Sequence, residues 1–336
     1  MRIAQLGAGY WGPNLIRNFL RVPEVTSFQV GDPDEKQLAK VRGMFPQLQT
    51  GGDLQSFAAD PSIDAVVLAT PAATHYEFTK LLLNSGKHVL VEKPLALNAR
   101  DGRELVDLAR EKKLILMVGH VFLYNAAVLK VKEYIDAGDL GEIYYITTQR
   151  LSLGRVRQDV NALWNLAPHD ISICNFWLDA KPERVTAKGK CFLQPHLEDV
   201  VFMDLDYPGG QAAHVHVSWL DPNKTRRIVV VGSKRMLVYD DVSMDAKITI
   251  YDKGVDRNAI PRDLPSAESF GDFQLQQREG DIIIPKIKFN EPLFVECTEF
   301  VRCILEGRVP KADGENGLAV VEVMDQAQRQ LDDARR

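Results

Sequence analysis

Residues 2–20, RIAQLGAGYWGPNLIRNFL, determine the fold class of the chain. A short apolar run leads into three spaced glycines, and a helical pattern of apolar residues follows them. In a G-x-G-x-x-G motif, Gly7 permits a tight turn, Gly9 lets the backbone approach a pyrophosphate, and Gly12 lets the helix pack closely on the strand. The free N–H groups of the helix N-terminus attract the same anion. The stretch therefore predicts a strand, loop and helix that bind a dinucleotide; the alternative is an ordinary strand-to-helix turn.

An acidic residue follows the second predicted strand. Asp32 lies 20 residues after Gly12, in the stretch TSFQVGDPD. An acidic side chain at this position hydrogen-bonds the ribose hydroxyls of NAD and repels the 2′-phosphate of NADP. We therefore expect NAD as the cofactor and NADP as the less favoured one, because no arginine follows Asp32 directly. Lys36 and Arg42 are near enough in sequence to keep NADP open.

Strands and helices continue to alternate up to residue 120. Continuous apolar runs end at Thr70-Pro71, at Glu92-Lys93-Pro94 and at Gly119-His120, with helical patterns between them. Such strands, separated by helices, are typical of a parallel sheet covered on both faces. Ligands of these sheets bind beyond the carboxyl ends of the strands. The sequence therefore predicts that the Lys93 turn lies on the side of the sheet that binds the dinucleotide.

The pattern becomes strand-rich after residue 120, and apolar helices return at 291–306 and 315–332. We expect an α/β protein with two domains. Residues 1–120 are predicted to form a Rossmann domain with a doubly wound parallel sheet. Residues 121–336 are predicted to form a substrate-binding and oligomerisation α/β domain with a large open, mostly antiparallel sheet, whose last helices pack back on the first domain. Residues 252–290 are polar and weakly periodic, which favours a long loop or lid.

Composition narrows the class of protein. With 336 residues, 45% hydrophobic residues and 26% charged ones, the chain suits a soluble protein of two domains. The net charge of −5 and the lack of a long basic stretch argue against a nucleic-acid partner. No apolar run approaches the roughly 18 residues of a membrane span, and no signal peptide precedes the first strand. We therefore expect a cytoplasmic protein with no membrane partner.

Cysteines and histidines give no sign of a metal site. The four cysteines lack C-x-x-C spacing, which predicts reduced core residues. His214 and His216 share one face of a predicted strand, but no carboxylate or cysteine spacing near them supports a ligand set. We expect no metal.

The segment LWNLAPHDISICNFWL, residues 163–178, contains a candidate catalytic histidine. Pro168 and the helical spacing after it predict a helix that begins near Pro168, with His169 in its first turn. The positive end of the helix dipole would keep this histidine neutral and able to act as a base. Asn165 is within reach of the same site, and Asp170 is the candidate N-terminal anion of the helix. The alternative is a histidine that only caps or packs locally.

Four motifs together resemble the Gfo/Idh/MocA family of oxidoreductases, whose namesakes include glucose–fructose oxidoreductase and inositol dehydrogenase. The motifs are GAGYWG at 7–12, ATPAATH at 69–75, GKHVLVEKPL at 86–95 and NLAPHD at 165–170. The glycine motif alone is weak, whereas the ordered combination is highly specific and the resemblance spans nearly the whole chain. It implies a Rossmann domain, a second α/β domain with an open sheet, and homodimers or homotetramers formed through that sheet. A sheet covered by its own loops is the alternative to a second copy.

The resemblance also implies an active site, formed in this family by the lysine of E-K-P and a later D-x-G-x-H segment. Lys93 matches the lysine and His169 matches the histidine, whereas Asn165 and Ala167 replace the usual aspartate and glycine. An asparagine can orient a hydroxyl but cannot accept its proton, so acid–base work would fall on His169, assisted by Lys93. Reduced activity or a different substrate class stays open. The cofactor-binding residues implied by the resemblance and by the strand ends are Gly7, Gly9, Tyr10, Trp11, Gly12, Asp32, Thr70, Pro71, His75, Glu92, Lys93 and Pro94.

These expectations combine into a function. The chain is predicted to transfer a hydride between NAD(P) and a ring carbon of a sugar, nucleotide-linked sugar or cyclitol, with Lys93, Asn165 and His169 contacting the substrate. Arg150, Arg155 and Arg157 are also expected to bind the substrate, through a phosphate or carboxylate; a solvated basic loop is the alternative. A second hypothesis is a dinucleotide sensor without turnover, which the Asn165 replacement favours mildly and the catalytic pair argues against.

Overall fold

The computed structural model describes residues 1–154, 156–158, 160–255, 277–278 and 280–335. Its α-helices are α1 Gly12–Phe19, α2 Glu35–Met44, α3 Leu54–Ala59, α4 His75–Asn84, α5 Ala99–Lys112, α6 Ala126–Asp136, α7 Ala162–Leu178, α8 Pro292–Glu306 and α9 Gly314–Asp333. Short 3-10 turns lie at Ala72–Thr74 and Val121–Tyr124. The strands are β1 Arg2–Leu6, β2 Ser27–Gly31, β3 Gln49–Thr50, β4 Ala65–Leu68, β5 His88–Val91, β6 Leu116–Val118, β7 Ile143–Leu151, β8 Arg184–Lys190, β9 Val200–Asp206, β10 Ala212–Ser218, β11 Thr225–Gly232, β12 Met236–Asp240, β13 Ile248–Tyr251, β14 Gly254–Val255, β15 Gln277–Arg278 and β16 Ile282–Ile283.

The first sheet has six parallel strands in the order β3-β2-β1-β4-β5-β6. Every residue of β4 is buried, as are the last three of β5, because helices cover both faces of the sheet. The strand order changes direction between β1 and β4, which is the switch point where such sheets bind ligands. The parallel sheet predicted from the apolar runs is confirmed.

The second sheet has eight strands among the described residues, in the order β16-β13-β12-β11-β7-β10-β9-β8. Only the β7–β10 pair is parallel, and the other pairs in this sheet are antiparallel. The mostly antiparallel sheet predicted from sequence is therefore confirmed. Residues 208–210, Pro-Gly-Gly, form the turn between β9 and β10, and Gly210 has a φ of 80°, which a side chain would disfavour.

The chain divides into two compact units. The first contains Met1–Asn125 and Asn290–Gln326, and the second contains Ala126–Phe289 and Ala327–Arg336. Helix α8 belongs to the first unit because it packs on α1 and on the turn at Val121–Tyr124. In the second unit, α7 packs on β7, β9 and β10.

Helix α7 begins earlier than the sequence pattern predicts. It starts at Ala162, and its N-cap is Asn161, whose side chain accepts a hydrogen bond from the Trp164 N–H. Pro168 lies inside the helix rather than in its first turn. The prediction of a helix start near Pro168 is wrong, because the capping asparagine and the apolar residues after it begin the helix two turns earlier.

Residues 252–290 are described only in part. Strand β14 pairs with β15, and β16 pairs with β13 at one edge of the second sheet. Residues 256–276 and 279 lie outside the described residues, so the long loop or lid stays a prediction. Within the described part of the chain, no helix is long and apolar enough to cross a membrane, and no group of three potential metal ligands occurs.

Candidate functional site

The glycine loop between β1 and α1 leaves room for a ligand. Gly7 has a φ of +100°, and a Cβ there would lie 2.3 Å from the Ala69 carbonyl oxygen. A Cβ on Gly12 would lie 2.6 Å from the Gly7 oxygen, so protein packing requires both glycines. A Cβ on Gly9 would meet no protein atom within 4 Å. The open space beside Gly9 therefore fits the close approach of a pyrophosphate to the N-terminus of α1.

A buried glutamine that sequence reasoning missed holds this loop. The Nε2 of Gln5, which is fully buried, donates to the Gly7 carbonyl at 2.8 Å and to the Gly12 carbonyl at 3.2 Å. Gln5 is the one polar residue inside an otherwise apolar stretch of β1, and this was the sequence feature that could have indicated its role in holding the loop. Tyr10 is 88% exposed and Trp11 is 37% exposed, so both are accessible to a ligand at the loop.

Asp32 lies at the end of β2 beside the glycine loop. Its Oδ2 accepts from the Ala8 N–H at 2.7 Å, and its Oδ1 accepts from the Asp34 N–H at 2.8 Å. These bonds fix the carboxylate where the ribose of a dinucleotide is expected. Arg42 donates to Thr50 at 2.9 Å and forms an ion pair with Glu35. Its guanidinium is therefore already committed to protein partners.

His75 connects two turns at the carboxyl edge of the sheet. The ring is 1% exposed, with Nδ1 2.6 Å from the Pro94 carbonyl oxygen and Nε2 3.0 Å from the Thr70 carbonyl oxygen. Burial lowers the pKa of His75, which favours the neutral ring. Both ring nitrogens thus lie against backbone carbonyls, and the contact of His75 with the cofactor stays a prediction. Thr70 is half-buried and Pro71 is exposed.

Glu92 joins the Lys93 turn to the glycine loop. The Trp11 indole hydrogen-bonds the Glu92 carboxyl, which also accepts from the Lys93 N–H at 3.3 Å. Although part of Glu92 reaches the surface, loss of hydration around its carboxyl raises the pKa to about 7. The positive charge of Lys93 and the Trp11 bond oppose this shift but do not cancel it. The Lys93–Pro94 peptide bond is cis.

Lys93 is half-buried, and a buried histidine lies within its electrostatic reach. His120, at the end of β6, is 1% exposed. Burial, with a further contribution from the Lys93 charge, lowers the pKa of His120 to about 3. His120 is therefore neutral near pH 7. The first unit thus brings together the glycine loop, the Lys93 turn and this ring.

Asn165 and His169 occupy an accessible stripe on a mostly buried helix. Both are half-buried, as is Leu166, whereas the residues between Leu166 and His169 are buried. Their i, i+4 spacing places the two polar side chains on one face of α7. His169 lies two turns into the helix, so the predicted effect of the helix N-terminus on it does not apply. The second unit brings this pair together, and Lys93 belongs to the first unit.

Arg150 and Asp170 form a buried ion pair. The Arg150 Nε donates to Asp170 Oδ2 at 3.0 Å and its Nη2 to Oδ1 at 2.7 Å, with side chains 8% and 2% exposed. Arg150 thus pairs with a protein carboxylate, and its contact with a substrate anion stays a prediction. The prediction that Asp170 is the N-terminal anion of α7 is wrong, because α7 begins at Ala162. Arg157 is exposed and its carbonyl accepts from Gln194 at 2.8 Å, whereas Arg155 lies outside the described residues.

Comparison with known proteins identifies the family. Residues 1–120 match the profile described as "Oxidoreductase family, NAD-binding Rossmann fold", and residues 128–238 match the GFO/IDH/MocA C-terminal domain. The two matches together cover more than half of the chain. The chain belongs to the Gfo/Idh/MocA family of oxidoreductases. The resemblance inferred from the four sequence motifs is confirmed.

Relatives in this family differ in cofactor. The scyllo-inositol 2-dehydrogenase (NAD(+)) of Bacillus subtilis (strain 168) is 24% identical over 322 residues, which cover 92% of this chain and 88% of that enzyme. The scyllo-inositol 2-dehydrogenase (NADP(+)) IolW of the same organism is 30% identical over 164 residues, covering 49% of this chain and 44% of that enzyme. The second match thus spans less than half of its relative, and the two names leave the cofactor preference of this chain open.

A solved structure shares the whole fold. The UDP-N-acetylglucosamine 3-dehydrogenase GnnA from Acidithiobacillus ferrooxidans has a TM-score of 0.82 and 20% identity, covering 100% of this chain and 99% of that one. At this identity the similarity shows that the two proteins have the same architecture.

Proposed function

We propose that the protein transfers a hydride between NAD and a ring carbon of a sugar, nucleotide-linked sugar or cyclitol. The observation on which this rests most is the Lys93 turn at the carboxyl edge of the parallel sheet, joined through Glu92 and Trp11 to a glycine loop with open space at Gly9. This is the arrangement that an NAD-binding oxidoreductase needs to hold a nicotinamide beside a cationic side chain. Relatives named for inositol and nucleotide-sugar oxidation support the substrate class.

The residues around the loop favour NAD over NADP. The glycine loop, the exposed Tyr10 and Trp11, and the Thr70-Pro71 turn would hold the dinucleotide. Asp32 is fixed by two backbone bonds where it would accept from ribose hydroxyls and repel a 2′-phosphate. Arg42 is engaged by Glu35 and Thr50 and would have to leave them to pair with that phosphate. When bound, the oxidised nicotinamide accepts a hydride from the substrate.

The remaining chemistry falls to three side chains. As the substrate carbon loses its hydride, its hydroxyl must lose a proton, and His169 would accept it as a general base. Lys93 would donate a hydrogen bond to the same oxygen and stabilise its developing negative charge. Asn165, one turn from His169, would orient the hydroxyl through its amide. The reverse reaction returns the proton from His169 to the carbonyl oxygen.

The substrate is better described as a ring polyol than as an anion. A nucleotide-linked sugar would need basic side chains for its phosphates, and Arg150, one of the three candidate arginines, is paired with Asp170 inside the protein. Arg157 is exposed and could still bind a phosphate or carboxylate, so an anionic substrate stays part of the proposal. Neutral cyclitols and sugars need only the hydrogen-bonding set of Lys93, Asn165 and His169.

The partner we propose is a second copy of the chain, packed on the outer face of the second sheet. One row of side chains crosses five neighbouring strands on this face, and each side chain in the row is exposed or half-buried. The row consists of Lys188, Phe202, His216, Gln149 and Arg227. Phe202 stacks on His216 with ring centroids 4.4 Å apart. A face that mixes an exposed aromatic with polar and basic groups suits an interface between identical subunits.

The first test is a hydride-transfer assay. Purified protein with NAD or NADP would be offered inositols, sugars, uronates and nucleotide sugars while absorbance at 340 nm is followed. We expect turnover with one class, with NAD preferred, and a loss of at least ~100-fold in kcat for Lys93→Ala and for His169→Ala. Lys80→Ala is the matched control, because Lys80 pairs with Glu104 on the surface of the same unit.

Two results would contradict the proposal. Full turnover by Lys93→Ala or His169→Ala would remove the assigned roles. NADH binding without turnover across the whole panel would favour the dinucleotide sensor instead.

A further inference from the structure

Helix α8 buries a carboxyl group where an apolar side chain would be ordinary. Glu296 is 0% exposed, between the buried residues Leu293, Cys297 and Phe300 of the same helix. Within the part of the chain that the structure describes, neither of its carboxyl oxygens has a hydrogen-bond donor. An ionised carboxylate in such a place is very costly, whereas a protonated carboxylic acid is not.

The carboxyl that acts electrostatically on Glu296 is that of Glu92. Glu92 packs against Gly119, just before the turn at Val121–Tyr124, and α8 packs on that turn. Burial and the Glu92 charge raise the pKa of Glu296 well above its ordinary value. Two buried carboxyls that interact cannot both ionise near neutral pH, so the pair retains at least one proton. Glu296 can donate a hydrogen bond only when its carboxyl is protonated. A hydrogen bond from a carboxylic acid O–H to a carboxylate is among the stronger ones in proteins.

The structure makes room for Glu92 at this position. A Cβ on Gly119 would lie 2.9 Å from the Glu92 Oε2, so only a glycine there lets the carboxyl pack against β6. On its other side Glu92 meets the Trp11 indole and the Lys93 N–H. The titratable or charged groups that interact with one or both carboxyls of the pair are Lys93, Tyr124 and Cys297.

We propose that Glu296 is a protonated carboxylic acid that donates to Glu92, and that this pair positions the Lys93 turn and the glycine loop against each other. The pair then has one negative charge at most, which Lys93 and the Trp11 N–H stabilise from the opposite side. Loss of the Glu296 proton would set two carboxylates against each other and push Glu92 away from Trp11. Glu296 is a positioning residue, since it acts through Glu92; only its benefit to dinucleotide binding rests on the proposed function.

The test follows the Trp11 indole rather than turnover. Protein labelled with ¹⁵N-tryptophan would be titrated from acid to alkaline pH, and the Trp11 signal would be assigned by its loss in Trp11→Phe. We expect a midpoint near neutral pH in the wild type, and no transition in Glu92→Gln. Glu296→Gln keeps a neutral donor and should leave the midpoint within ~0.3 pH units of the wild type. Glu296→Leu removes the donor and should raise it by about one unit.

A smaller shift of the midpoint in Glu296→Gln than in Glu296→Leu distinguishes a positioning role from a packing role, because a site that only needs to be filled tolerates leucine better than glutamine. Glu299→Gln is the matched control: it lies on the same helix, and its carboxylate pairs with Arg308 at 2.8 Å. The infrared C=O band of a buried carboxylic acid should be present in the wild type at pH 7 and weaker in Glu296→Gln. Any one of three results would overturn the proposal. They are equal midpoints in the wild type and Glu296→Leu, an equal shift of the midpoint in the two Glu296 variants, and the lack of a Trp11 transition in the wild type. None of these readouts requires a substrate.

Discussion

At the scale of single residues, the burial of His120 makes stability depend on pH. Its folded pKa of about 3 lies below the ordinary value of 6.5, with burial as the first cause and the Lys93 charge as the second. The unfolded chain therefore binds more protons than the folded one between these two values. The stabilising contribution is complete above pH 6.5 and is lost as the pH falls toward 3.

We predict that at pH 5 the wild type has lost about 2 kcal/mol of unfolding free energy through His120 alone. Urea denaturation at pH 5 and pH 7.5, in the wild type and in His120→Asn, measures this contribution. The variant is expected to be less stable at pH 7.5 but to lose less on acidification. An identical pH dependence in both proteins would mean that His120 titrates normally.

The sequence reveals the site residues whose role is local. Gly7, Gly12 and Asp32 follow from the spacing within one strand–loop–helix unit, and the structure explains each by a backbone contact or a close approach. The proposed role of Glu296 could not be predicted, because nothing in its own helix indicates that the charge of residue 92 acts on it. The same limit applies to Arg150, whose engagement depends on a partner 20 residues away on another element.

At the scale of elements, the start of α7 shows how two local signals compete. Proline favours the first turn of a helix, which suggested Pro168 as the beginning. The stronger signal is Asn161, because a side-chain cap satisfies an N–H group that would otherwise lack a partner. Packing of α7 on three strands then compensates for the backbone hydrogen bond that Pro168 removes.

The Arg150–Asp170 pair connects β7 to α7, next to His169. We predict that Asp170→Asn lowers the unfolding free energy by ~3–5 kcal/mol, because it leaves a buried guanidinium without its carboxylate. Asp206→Asn, which breaks an exposed pair with Arg184 in the same sheet, should cost less than about 1 kcal/mol. Urea denaturation of the two variants measures the difference.

A double replacement tests whether the unpaired guanidinium causes the loss of stability in Asp170→Asn. Arg150→Met combined with Asp170→Leu should recover most of the loss, since it removes both charges together. If Asp170→Asn and Asp206→Asn were equally mild, the buried pair would contribute no more than a surface one.

At the scale of the whole molecule, sequence patterns predict the type of each sheet but not the order of its strands. Alternating burial identifies β9 and β10 as strands with one exposed face, and the turn at 208–210 pairs them. The parallel pairing of β10 with β7 joins residues far apart in the chain and depends on how the whole sheet assembles. The exposed row on this sheet is therefore a property of the fold that the sequence alone does not reveal.

The proposed subunit interface gives the last prediction. Phe202 is 41% exposed and stacks on His216, the central residue of the row, and an interface there would bury both rings. Phe202→Lys would place an ammonium in the buried centre and should weaken self-association by at least ~100-fold, while the circular dichroism spectrum stays that of the wild type. Light scattering coupled to size exclusion measures the mass in solution. Met244→Lys, at an 88% exposed methionine beyond β12, should leave the mass unchanged. A wild type that is monomeric at micromolar concentration would show that the outer face of the second sheet has no partner copy, and a Phe202→Lys protein that keeps the wild-type mass would move the interface to another surface.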